Sequence, residues 1–205
     1  MKHSITAEEF GVRLRPVRME DAPFIVWLRN LGHAVGRVGD SAADVAAQEK
    51  WLAKYFEREG DWYFLIETLG GIPVGTYGLY DLRGRSAEGG RFVVRPGVPA
   101  AMPAAIVGID IAFNALKLEE LRGTTVATNH HVLSLNRKFG FRQVKVEKDA
   151  QIINGKPVDI VHVTFAPHEW PPVRARLAPL ARVAEPQVRE WEKANPNAGL
   201  PEHWK

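Results

Sequence analysis

The chain has 205 residues, 45% of them hydrophobic, which is enough to enclose one sizeable core. Its formal charge of +3 is spread over interleaved arginines and acids, so no basic stripe marks a nucleic-acid groove, and zero cysteines exclude disulfides, thiolate metal sites and a cysteine nucleophile. No apolar run approaches membrane-spanning length and "MKHSITAEEFGVRL" lacks the apolar centre of a signal peptide, so the expectation is a cytoplasmic protein with neither membrane nor nucleic-acid partner.

In chain order, "VRLRPV" (12–17) alternates as a strand, and "RMEDAP" opens a helix, with Asp21 as its cap and Pro23 in its first turn. The glycine-bearing "NLGHAVGRVGD" reads as an irregular loop. Ser41 and Asp44 suggest a capping box for the next helix, which aligns Val45, Leu52 and Phe56. "DWYFLIETLGGIPVGTYGLYDL" reads as two strands around the Gly70-Gly71 turn, and "SAEGGRFVVRP" as a third, closed by Pro96. Ala100 to Leu116 has the strongest helical spacing, through Ile106, Ile109, Phe113 and Leu116, with Asp110 on a solvated face. "LRGTTVAT" is a strand, "NHHVLSLNRKF" a helix stopped by Gly140, and "VDIVHVTF" a last strand. The order β-α-α-β-β-β-α-β-α-β implies an α/β fold with a mixed, mostly antiparallel sheet, in which the strands on either side of the crossover helix run parallel. In the tail beyond residue 170, prolines are expected to prevent one continuous helix; it folds over the domain or forms the arm of a homodimer.

This order, the strand "GGRFVVRP" entering a long helix, and the segment from Asn129 to Phe141 resemble the acetyl-CoA-dependent N-acetyltransferases called GNATs. "WLRN", "QEKW", "VLSLNRKFGF" and "NGKPVDIVHVTFAPHEW" resemble the branch that acetylates nucleotide-linked amino sugars, as in pseudaminic acid biosynthesis, with ribosomal-protein N-terminal acetyltransferases as near relatives. The resemblance implies an acetyltransferase domain over residues 1–170 and an extension over 171–205. It also implies a splayed parallel strand pair, one member ending at Val94 and the other near Thr128, whose unpaired backbone grips the pantetheine arm of acetyl-CoA. Asn129 then lies at the mouth of the gap.

The cofactor contacts so implied are Val93, Val94, Arg95, Ala101, Met102, Ala104, Ala105, Asn129, Asn136 and Arg137. The family's glycine-rich pyrophosphate loop is here "RPGVPAAMPAAIVG", where alanines replace glycines and Pro99 and Pro103 donate nothing. Amide formation needs a base for the acceptor ammonium and a donor for the oxyanion; Glu88 and the Val94 N-H take these roles by family position. The family's acid is a tyrosine that Asn136 replaces, leaving Ser134 or water. Arg29, Asn30, His33, Arg37, Tyr77, Tyr80 and Asp81 are candidate contacts for a small-molecule amine acceptor, an amino sugar in this reading. Alternatives are a peptide N-terminus, another small amine, or a catalytically weak acyl-CoA-binding regulator. His130 and His131, adjacent on a helix, point about 100° apart and do not make a metal site.

Overall fold

The structure is a computed structural model describing residues 2–31, 44–153, 155–196 and 198; His33, Arg37 and Ser41 lie outside these. The strands are β1 (Ala7–Glu9), β2 (Val12–Pro16), β3 (Trp62–Thr68), β4 (Pro73–Arg83), β5 (Ser86–Val94), β6 (Glu120–Val126), β7 (Arg142–Ile153) and β8 (Lys156–Phe165). The helices are α1 (Ala22–Arg29), α2 (Val45–Phe56), α3 (Ala101–Asp110), α4 (His130–Lys138) and α5 (Trp170–Ala194). One sheet orders the strands β1-β2-β3-β4-β5-β6-β8-β7. Among the described residues β5 and β6 are its parallel pair, as the crossover through α3 requires.

The sheet separates two apolar clusters. On one face, α3 and α5 pack over Leu14, Phe64, Leu79, Ala87 and Leu121; on the other, α1 and α2 cover Val17, Tyr63, Leu65 and Val93. Strand alternation would put Ala87 and Val93 on the same face, yet they lie on opposite ones. Arg91 is the reason: it adopts φ 49°, and the β4–β5 register shifts beside it between Thr76 and Gly78. This bulge turns Phe92 and Val94 toward α3, so the strand changes face as it leaves β6.

Several sequence expectations are corrected here. Asp21 does not cap α1 with its side chain; it ends a 3-10 turn (Met19–Asp21) and accepts from the Arg18 N-H at 2.7 Å and from both terminal nitrogens of Arg15 at 2.8 Å. A buried carboxylate is better matched by a forked guanidinium than by a lone helix amide. For α2 the cap is Asp44, which accepts from the Ala47 N-H at 2.8 Å. β1 and β7 are strands that the sequence pattern did not reveal. β7 is an edge strand, exposed along nearly its whole length, and its apolar alternation is confined to Val144 and Val146.

The crossover helix is regular only to Asp110 and continues as a π turn, Ile111–Ala115. Asp110 is not merely solvated: it accepts from Trp170 Nε1 at 2.7 Å and from Arg174 Nε at 2.8 Å, fastening α3 to α5. Nor do the tail prolines break α5, a continuous 25-residue helix containing Pro179 and Pro186. Both prolines are exposed, as are Ala175 and Arg182, whose carbonyls lose their helical partners to them. Water can satisfy those carbonyls while Leu177, Ala178, Ala181 and Val188 bury the opposite side.

Candidate active site

Pairing between β5 and β6 covers Ser86 to Glu88 against Glu120 to Arg122 and then stops. Beyond it the strands diverge around a cleft of about 740 Å³, walled by Gly89 to Val94 of β5, Thr124 to Val126 of β6, and the start of α4. Gln151 and Ile160 of the β7–β8 hairpin complete the lining. Divergence leaves strand amides without partners, and their direction can be read from the neighbours. The Arg95 N-H donates to the Val74 carbonyl at 2.7 Å, and successive residues of a strand point to opposite sides, so the Val94 N-H faces the gap.

Of the expected cofactor contacts, the cleft brings together Val93, Val94, Ala101 and Asn129. Asn129 caps α4 by accepting from the Val132 N-H at 3.3 Å. At the start of α3, Ala101 and Met102 lie in the first turn, whose N-H groups have no helical acceptor, while Pro103 has no N-H to offer. Ala104 is not available as expected, because its N-H is spent on the Ala100 carbonyl at 2.9 Å; Ala105 lies deeper in the same helix and is buried. The Arg95 side chain turns away from the cleft. It lies over the rings of Trp27 and Trp191 and donates to the Ala198 carbonyl at 2.7 Å. Ser134, Asn136 and Arg137 are on α4 but off the cleft wall, which takes His131, Val132 and Leu135 instead. Those three recur at helical spacing; Ser134 is turned roughly 100° from the centre of that face.

Among the acceptor contacts, Tyr80 lines the cleft. Burial, then the charge of Glu88, pushes its phenol up to about 12, so it stays protonated at neutral pH. Tyr77 is not a contact: it is 6% exposed within the main core, pressed under Gly108 of α3, and its phenol is shifted upward by burial. Asp81 lies outside the cleft and pairs with Arg83 at 2.9 Å and Arg122 at 3.3 Å; against a desolvation that raises its pKa, these hydrogen bonds hold it below the ordinary value. Asn30 donates to the Val26 carbonyl at 2.9 Å, closing α1, and Arg29 is half-buried on the same helix.

Glu88 sits at the closed end of the gap, in register with Tyr80 of β4 and Arg122 of β6. Its Oε1 accepts from the Thr124 hydroxyl at 2.6 Å. Sequence reasoning missed Thr124, and it missed Arg91, whose guanidinium lines the cleft, donates to both Asp61 oxygens at 2.5 and 3.0 Å, and stacks 4.3 Å from the Tyr80 ring centroid. The acid that holds Arg91 stands 30 residues away, beyond any local pattern. His131 faces the cleft, while no group of three or more His, Cys, Asp or Glu among the described residues could hold a metal ion.

The residues present suit a slender amide-bearing arm: a slot with unpaired strand amides on one wall, a capped helix on the other, and bare first-turn amides of α3 at its mouth. Known proteins agree. The acetyltransferase (GNAT) domain family matches residues 12–142. Among curated sequences none matches significantly. Similar solved structures include a GCN5-related N-acetyltransferase from Brucella melitensis (18% identity, TM-score 0.75, covering 87% of this chain and 86% of that one). Another is apo FdhC, a nucleotide-linked sugar GNAT (22%, 0.72, 86% and 98%). A third is the spermidine N-acetyltransferase of Vibrio cholerae in complex with CoA and spermine (19%, 0.72, 79% and 99%). With its family signature spanning most of the sheet and the cleft between β5 and β6, the chain belongs to the GNAT family and is an acetyl-CoA-dependent N-acetyltransferase.

Proposed function

We propose that the chain transfers the acetyl group of acetyl-CoA to the primary amine of an amino sugar, carried on a nucleotide. The observation that supports this acceptor is the want of acids in the cleft wall. Among the described residues no carboxylate lines it, and its guanidinium, Arg91, already has Asp61 as counter-charge. The two acids touching that lining are engaged, Glu88 by Thr124 and Asp61 by Arg91. A polyamine with several ammonium groups would need acidic partners in such a wall, and an acceptor that carries phosphate would not. Likeness to the nucleotide-linked sugar enzyme points the same way.

In this reading Glu88 takes a proton from the acceptor ammonium, directly or through one water, so that a neutral amine is presented. The Val94 N-H donates to the oxygen on which charge develops. Asn129 and the first-turn amides of Ala101 and Met102 hold the cofactor, with the helix dipole favouring its phosphates. Bound there, acetyl-CoA supplies the acyl group as a thioester open to direct attack, and no covalent enzyme intermediate is needed. Ser134 is dropped as the acid because it is turned roughly 100° from the face of α4 that meets the cleft, and the departing CoA thiolate takes its proton from water.

The test is thiol release from acetyl-CoA over a panel of nucleotide-linked amino sugars, free amino sugars, spermidine and N-terminal peptides. Turnover should be fastest with a nucleotide-linked amino sugar. Preference for spermidine or a peptide would overturn the acceptor assignment while leaving the transferase intact.

A further inference from the structure

Three side chains on one face of the sheet meet where the strands part. Tyr80, Glu88 and Arg122 form one cross-strand row over β4, β5 and β6. The next row is Gly78 opposite Gly90, with Thr124 two residues beyond Arg122 on β6 and in register with His162 of β8. Here the sheet no longer pairs, and neither glycine offers a side chain. The Tyr80 hydroxyl fills that space, so close that a Cβ on Gly90 would lie 2.3 Å from it. From the far side of the opening, Thr124 reaches back and donates its hydroxyl to Glu88 Oε1 at 2.6 Å. This charge-assisted bond joins β5 to β6 just after their last backbone pair.

Glu88 on its own would be poorly fixed. It stands half-exposed at the rim of an opening, and a carboxylate has several staggered rotamers that point elsewhere. A base that wanders loses the orientation on which proton abstraction depends. The Thr124 hydroxyl, with the Tyr80 phenol also bonding to the carboxylate, removes that freedom and holds the group at the rim of the opening.

We propose that Thr124 is a positioning residue for Glu88, acting across the strand gap to hold its carboxylate toward the acceptor ammonium. The inference rests on the reading of Glu88 as the base. The other titratable or charged groups around Glu88 are Tyr80 and Asp81 from β4, Arg91 on its own strand, Arg122 from β6 and His162 from β8. All of these are retained in the variants below.

Thr124→Val, Thr124→Ser and Glu88→Gln are compared by thiol release from acetyl-CoA with a UDP-linked 4-amino sugar, or with whichever amine of the panel turns over fastest. Acetyl-CoA binding is followed by calorimetry and folding by circular dichroism. Thr124→Val should lower kcat roughly tenfold with KM for acetyl-CoA within about twofold, while Thr124→Ser restores kcat. If Glu88→Gln loses activity but Thr124→Val keeps the wild-type kcat, the positioning role is overturned and the base survives. A defect in Thr124→Val that serine does not repair overturns it too, since only the hydroxyl is invoked. Full activity in Glu88→Gln removes the base itself, and the inference with it.

Discussion

At the scale of single residues, the site depends on atoms that are missing as much as on those present. Gly90 has to lack a Cβ because the Tyr80 hydroxyl occupies its place. Gly90→Ala should therefore displace Tyr80 from the cleft and lower kcat about tenfold, with the unfolding midpoint in urea little changed, since the clash falls on one side chain at the rim of the sheet. His3 carries a separate expectation about pH. Burial lowers its pKa from 6.5 to about 4, and its ring packs against Phe64. A histidine depressed in this way contributes no loss above pH 6.5. As pH falls below 6.5 the unfolded chain takes the proton first, so stability declines until about pH 4 and then levels off. Urea midpoints at pH 7.5 and pH 5 should differ less in His3→Leu than in the wild type.

At the scale of elements, the anchoring of α5 shows how the tail joins the domain. Asp110 of α3 holds both Trp170 Nε1 and Arg174, and Arg174 also reaches Glu9 of β1. Asp110→Ala would leave a buried indole N-H and a half-buried guanidinium short of acceptors, a loss of about 2 kcal/mol measurable by urea unfolding. The ends and partners of elements were where sequence reasoning fell short. Helices α1 to α4 and strands β2 to β6 and β8 are legible because each carries a 3.6-residue stripe, an alternating face or an apolar run. In β7 the alternation is only Val144 and Val146, both exposed, and α5 was obscured by prolines whose cost depends on which side of the helix faces water. Tyr77 lies in a strand the sequence located, yet only the position of α3 above it decides that its hydroxyl is in the core.

At the scale of the whole molecule, α5 shares one apolar cluster with α3 and the sheet, so we propose that the domain extends through residue 194 and does not stop at 170. A ligand gripped by both walls of the β5–β6 gap should stabilise all of it. Acetyl-CoA at a hundredfold excess over its Kd adds about 2.7 kcal/mol. For a 205-residue chain this raises Tm by about 5 to 10 °C in differential scanning fluorimetry. No shift at saturating acetyl-CoA would contradict cofactor binding in the cleft.

The sequence by itself determined the order of the elements from β2 to α4, the parallel pair around the crossover, and the family signature, because these follow from local periodicity, chain direction and a few neighbouring residues. It also placed Val94 at the end of β5 and Asn129 at the cap of α4. Only the tertiary structure decided which side chains face the cleft. A bulge at Arg91 changes the face of a strand, α3 lies over Tyr77, Trp27 and Trp191 draw Arg95 away, and Thr124 meets Glu88 from a strand 36 residues distant. Each of these is a contact between segments far apart in the chain, and periodicity along one segment carries no record of what packs against it.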